Sequence, residues 1–174
     1  MALAVCLLFD ARSDQRVREL WSRLEHAGIS TLATHTHGRH HPHLSYAVLR
    51  SWDRGRVQDA LSALPAADSF SMTVHGTIAF PRGRAALVPA ISADVAMRQS
   101  RSVTALETTG AELHHYYQTG HWVPHVSVAT RTRNSQISSV VRMISDTLPL
   151  TIRVDRAALV DSATGQTWPL PHIL

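Results

Sequence analysis

The sequence predicts an α+β fold of two pseudo-symmetric lobes, each a mostly antiparallel sheet backed by helices, with a central groove. Three observations carry that expectation. Short apolar runs alternate with amphipathic stretches at helical spacing along the whole chain. The elements follow the order strand–helix–strand–helix–strand–strand, then helix–strand–helix–strand–strand, which looks like a duplication. Finally, one pattern occurs twice: Pro42-His43-Leu44-Ser45-Tyr46-Ala47 and Pro124-His125-Val126-Ser127-Val128-Ala129 share Pro, His, apolar, Ser, apolar, Ala. There is no linker, low-complexity run or charge block, so one domain of two lobes is expected over residues 1–174.

Each element has a local reason. Residues 2–9 are a continuous apolar run and read as a buried strand. Ser13 is placed to cap a helix over 14–27, with Val17, Leu20, Trp21 and Leu24 at helical spacing and Gly28 closing it. The first histidine stretch makes a strand over 42–50. Asp53 or one of its neighbours starts a helix over 54–64 with Val57, Leu61 and Leu64 on one face, and Pro65 ends it. A strand pair follows at 70–80 and 85–90, reversed by Pro81-Arg82-Gly83-Arg84. Residues 92–118 read as helical through Val95, Met97, Val103, Leu106 and Leu113, with a break near Gly110. The second histidine stretch is a strand over 123–130. Asn134 is a plausible N-cap for a helix running to Leu148 through Ile137, Val140, Val141 and Ile144. A hairpin closes the chain, with a strand at 150–154 or 159–160, a turn over 162–165 and a last strand to Leu170.

Composition narrows the partner. With 174 residues, 44% of them hydrophobic, the chain can bury a core and is not disordered. A net charge of +4 and a pI of 10.2 favour a polyanionic partner such as RNA or a nucleotide phosphate. Arginine predominates among the cations and suits bidentate phosphate contacts; Arg82 and Arg84 share one turn. The single cysteine, Cys6, lies in an apolar run and reads as core; an intrachain disulfide and a cysteine-based zinc site are excluded. The N-terminal apolar run has no basic flank and is too short to cross a bilayer. The expected setting is the cytoplasm, away from membranes, with no obligate protein partner.

On a strand, side chains alternate faces, so His43 and Ser45 share one face while Leu44 and Tyr46 share the other. His125 and Ser127 relate in the same way to Val126 and Val128. Each stretch can bury an apolar face and present an imidazole beside a hydroxyl. Two imidazoles across a groove can divide acid and base work near neutral pH. In-line displacement at phosphorus needs that placement, because nucleophile and leaving oxygen lie on opposite flanks. Ser45 and Ser127 would hold the non-bridging oxygens.

The paired His-x-Ser stretches resemble the His-x-Thr/Ser pair of the 2H phosphoesterase superfamily, which includes the RNA 2′,3′-cyclic phosphodiesterases also called 2′-5′ RNA ligases. The resemblance extends over nearly the whole chain, through Thr77–Pro81, the following strand, the long helix before Pro124-His125, and the closing stretch from Leu159. It implies cofactor-free, metal-independent hydrolysis of a cyclic phosphate at an RNA end or on a small nucleotide. It also implies that His43 protonates the leaving oxygen and His125 activates water; residue spacing alone leaves that direction, and hydrolysis against ligation, open. Both hydroxyl positions are Ser where Thr is commoner, which keeps the donor and loses the methyl that fixes the rotamer.

Other residues bear on the same reading. Arg82, Trp122 and His75 are candidate substrate contacts, with packing and structural roles as their alternatives. The stretch His35-Thr36-His37-Gly38-Arg39-His40-His41 invites a metal-dependent hydrolase built on His35, His37 and His40, but Arg39 stands where the familiar motif has Asp and no carboxylate set follows. It reads instead as a solvated loop at the groove mouth. A further alternative is the same fold holding RNA ends or a nucleotide without turnover.

Overall fold

In the computed structural model, which describes residues 2–174, the chain forms β1 (Leu3–Phe9), α1 (Ala11–His26), β2 (His43–Ser51), α2 (Arg54–Ser62), β3 (Phe70–Phe80) and β4 (Arg84–Ala90). It continues through α3 (Ala93–Glu107), β5 (Glu112–Leu113), β6 (Val126–Ala129), α4 (Ile137–Ser145), β7 (Leu150–Asp161) and β8 (Thr167–Pro169). Every strand pairing is antiparallel, in the order β5-β2-β1-β7-β3-β4-β6, with β8 on β7.

The expected two sheets are therefore one. β7 is a single long strand rather than a short one at 150–154 or 159–160. Its first half, Leu150–Val154, pairs with β3, and its second half, Val154–Asp161, pairs with β1. Burial alternates in the first half, at Leu150, Ile152 and Val154; past an irregularity near Asp155, Ala157, Ala158 and Leu159 are all buried. One strand thus joins an N-terminal half, β2-β1, to a C-terminal half, β3-β4-β6.

The core lies on one face of this sheet. Leu3, Val5, Leu7 and Phe9 of β1, Leu44 and Tyr46 of β2, Leu87 of β4, and Val126 and Val128 of β6 all point into it. Helices cover them with Val17, Leu20, Trp21 and Leu24 of α1 and Val140 and Ile144 of α4. Each such side chain contributes about 1.5–3 kcal/mol on burial. By alternation the opposite face carries Cys6 and Leu8, His43 and Ser45, Arg84 and Ala86, and Ser127.

Several boundaries differ from the sequence expectation. The cap of α1 is Asp10, whose Oδ1 accepts from the Ser13 amide at 2.8 Å. Ser13 lies inside the helix, and its Oγ accepts from the Arg153 amide of β7 at 2.9 Å. The helix ends as expected at Gly28 (φ 73°), where the Gly28 amide donates to Glu25 and the Ile29 amide to Leu24. Asp53 caps α2 as predicted. α3 stops at Glu107, and residues 112–113 pair with the edge of β2 instead of continuing the helix. Asn134 opens a 3-10 turn before α4 rather than capping it.

Candidate active site

β2 and β6 are separated by four strands along the sheet, yet Cα atoms of the two approach within 8 Å. The sheet curls until its two histidine strands face each other. Two indoles bridge the gap. Trp21 Nε1, from α1, donates to the Ser127 carbonyl at 3.2 Å. Trp122 Nε1, from the loop before β6, donates to the Ser45 carbonyl at 3.0 Å. Each half therefore ties down the serine backbone of the other.

The two imidazoles are anchored alike. His43 Nδ1 lies 2.7 Å from the His41 carbonyl, and His125 Nδ1 lies 2.8 Å from the Val123 carbonyl. A carbonyl only accepts, so each Nδ1 carries the proton and donates it. In the neutral ring Nε2 is then the basic nitrogen, and neither Nε2 has a protein partner among the described residues. Phe80 packs against the His125 ring at 4.9 Å between centroids.

Both rings are held below the usual histidine pKa. Burial is the main cause for His43, opposed by the hydrogen bond to the His41 carbonyl. Burial also dominates for His125, opposed by the Val123 carbonyl, while the charges of His43 and Arg84 push it further down.

The serines differ in setting. Ser45 is buried, with its Oγ 4.0 Å from Cys6 Sγ. The Cys6 thiol is pushed up to about 12 by burial, so it stays a neutral packing group, as its apolar context suggested. Ser127 is half-buried and lies opposite Ala86 of β4. Small side chains, Cys6 and Ala86, thus flank the two serines in corresponding positions.

Three groups join the site beyond the expected set. The first is Tyr117, whose phenol is raised to about 12 by burial and so stays protonated. Its backbone is fixed by Gln99, whose Nε2 donates to the carbonyls of both Tyr46 and Tyr117. Reading 112–118 as helix hid this, since the segment crosses the edge of β2. Arg84 is the second: its charge reaches His35, His114, Tyr117 and His125. Strand parity, which sets Arg84 on the same face as Ala86, was the signal available. Trp21 is the third, predicted only as a core residue.

The remaining expectations divide. Trp122 hydrogen-bonds Ser45 and sits edge-on to Tyr46 at 5.7 Å, which is a packing role. Arg82 is exposed at the tip of the β3–β4 turn, and Arg84, not Arg82, is the arginine felt at His125. His75 is exposed at an irregularity between Val74 and Gly76, with no hydrogen bond or ring contact to either histidine of the pair among the described residues. Tyr46 is fully buried, pointing away from His43 as alternation required. His37 and His40 approach to 4.1 Å between ring centroids, and His35 and His40 to 6.0 Å. Burial, with the charges of His37, His43 and His35, lowers His40 to about 4. No group of three or more His, Cys, Asp or Glu among the described residues is arranged to hold a metal ion, which counts against the His35, His37, His40 alternative. No helix among them is long and apolar enough to cross a membrane.

A family model described as the 2′-5′ RNA ligase superfamily matches residues 10–166. The chain belongs to the 2′-5′ RNA ligase superfamily. Solved structures of this superfamily's fold are similar throughout. E. coli LigT complexed with NADP+ aligns with a TM-score of 0.61 at 11% identity, covering 97% of this chain and 96% of that one. A protein described as a phosphoesterase aligns with a TM-score of 0.57 at 12% identity over 98% and 94% of the two chains. Kluyveromyces marxianus Usb1 aligns with a TM-score of 0.53 at 12% identity over 98% and 96%. No curated protein sequence matches the chain. Superfamily membership supports phosphodiester chemistry; at these identities the structures speak for the fold.

Proposed function

We propose that this protein is a metal-independent phosphodiesterase that opens 2′,3′-cyclic phosphates at RNA ends or on small nucleotides, with its described chain acting as one two-lobed domain. The observation that carries the reading is the matched anchoring of His43 and His125. Both donate Nδ1–H to the carbonyl two residues earlier, and both leave Nε2 without a protein partner. LigT has been solved with NADP+ and with 3′-AMP, both nucleotides.

The chemistry runs as follows. A neutral His125 takes a proton from water at Nε2 as the water oxygen forms its bond to phosphorus. The ring P–O bond breaks on the far side, and protonated His43 delivers its Nε2 proton to the leaving oxygen. The product is a ring-opened phosphomonoester, and the two histidines exchange protons with solvent to reset. This direction follows the superfamily resemblance. Ser45 and Ser127 donate to the non-bridging oxygens. A bound anion raises the pKa of both rings, offsetting the burial that lowers them and allowing one to hold its proton.

The test is hydrolysis of a 2′,3′-cyclic nucleotide by wild type, His43→Ala and His125→Ala, with circular dichroism confirming the fold of each. Each variant should lose about 10²–10⁴-fold in kcat, and a chelator should leave the wild-type rate unchanged. Either variant retaining wild-type turnover would sink the reading, as would loss of activity with chelator and recovery with zinc.

A further inference from the structure

The carboxylates are distributed unevenly. Between Glu25 and Asp53, between Asp68 and Asp94, and between Glu112 and Asp146, the chain carries no Asp or Glu at all. These three segments contain β2, β3, β4 and β6 with the loops that flank them. They also hold every histidine except His172. The strands that carry His43 and His125, and the β3–β4 turn, are thus built from sequence without a carboxylate; the acids that approach belong to α1 and β7, with Asp14 felt at His41.

Four of the seven arginines in these segments sit on two joined loops. The β3–β4 turn carries Arg82 and Arg84, and the loop after β6 carries Arg131 and Arg133. The two loops are locked backbone to backbone: the Thr132 amide donates to the Gly83 carbonyl at 2.7 Å. A Cβ on Gly83 would lie 2.0 Å from the Thr132 carbonyl oxygen, so only glycine permits this approach. Arg82 (φ 66°) and Arg131 (φ 53°) both occupy the left-handed region, which costs a non-glycine residue about 1–2 kcal/mol each.

These arginines are also unlike others in the protein. Arg18 is paired with Asp14, Arg98 with Asp94 and Arg156 with Asp155. Arg82, Arg84, Arg131 and Arg133 make no ion pair among the described residues, and only Arg133 has a side-chain hydrogen bond, to Gln136. The cluster is connected to the candidate site. Arg84 is felt at His125, and both Arg84 and Arg131 are felt at His35 of the loop leading to β2.

We propose that this arginine tip is a phosphate track, and that the substrate is a single-stranded RNA with at least one backbone phosphate beyond the reacting end, rather than a mononucleotide. The inference rests on the cyclic-phosphate reading above and narrows it to a substrate class. The reacting phosphate lies between the histidines, and the adjoining backbone phosphates run along Arg84, Arg131 and Arg82. Guanidinium groups on short turns suit bidentate phosphate contacts without reading a base.

The test compares a labelled short RNA ending in a 2′-phosphate with the corresponding nucleoside 2′-phosphate, binding each across about 50–200 mM salt. The RNA should bind at least tenfold tighter at low salt. Its log affinity should fall with log salt more steeply, by about 0.7 for each extra phosphate engaged. The Arg82→Gln/Arg131→Gln double variant should lose most of that excess affinity and slope. Equal affinity and slope for the two ligands, or an excess the double variant leaves intact, would overturn the proposal. Turnover of the cyclic-ended RNA and the cyclic mononucleotide by the same samples separates the two ideas. Salt-dependent RNA binding with no turnover of either strikes the catalytic reading alone, whereas turnover of both at equal efficiency strikes the track alone.

Discussion

Gly83→Ala gives a quantitative test of how the two arginine loops are joined, with Gly28→Ala as its control. Both glycines have positive φ, 66° and 73°, so each variant carries a left-handed penalty of about 1–2 kcal/mol. Only Gly83 is crowded. Its added Cβ would sit 2.0, 2.7 and 2.9 Å from the oxygen, nitrogen and carbonyl carbon of Thr132, whereas Gly28 has nothing within 4 Å. Backbone cannot swing aside as a flexible side chain can, so the loops must part and the Thr132–Gly83 hydrogen bond is lost. That adds about 0.5–1.5 kcal/mol for the bond, and more if the amide stays buried without a partner. Gly83→Ala should therefore cost about 2–4 kcal/mol against about 1–2 for Gly28→Ala. For a chain of this size each kcal/mol lowers Tm by about 2–4 °C. Calorimetry should show Gly83→Ala melting several degrees below Gly28→Ala. Equal Tm losses in the two variants would refute the claim that loop contact, rather than φ alone, fixes this glycine.

Two further outcomes follow from the electrostatics. Arg84→Gln removes a cation that holds His125 down, so the His125 pKa rises. In a pH profile of kcat/KM, the limb belonging to His125 should move to higher pH. If His125 is the base, the acidic limb moves; if the alkaline limb moves, His43 and His125 exchange roles; a profile unchanged on both sides contradicts the arrangement. Asp10→Ala should cost about 1 kcal/mol at neutral pH through loss of the α1 cap. Asp10 is held below its ordinary 3.8 chiefly by hydrogen bonds from Ser13, so its contribution is present above that pH and is lost as pH falls through the lowered value. Denaturant midpoints for wild type and variant should converge in strong acid, and a gap that persists there would count against the carboxylate as the cap.

The parts of the fold legible in sequence were those set by local periodicity. Period-two patterning put His43 with Ser45 and His125 with Ser127 on one face, and the buried sets Leu44/Tyr46 and Val126/Val128 confirm the parity. The same logic found α1 and its glycine end. The misplaced features were decided by contacts distant in the chain. Ser13 is a good capping type, yet its hydroxyl is taken by the Arg153 amide, leaving Asp10 to cap. Leu113 fits a helical repeat, yet its backbone pairs with Leu49 at an open sheet edge. Tyr117 reads as a helix end for the same reason, since nothing near it in sequence signals that Gln99 ties its carbonyl to that of Tyr46. Arg82 drew attention as the turn residue, while strand direction gives Arg84 the reach toward His125.

β7 also has a mechanical consequence. Because one strand is laced to both halves, and indoles from either side span the opening, the jaws cannot swing apart without unzipping the sheet. The cleft is a gauge of preset width. Whatever enters meets walls already in position, so little of its binding energy is consumed in drawing them together.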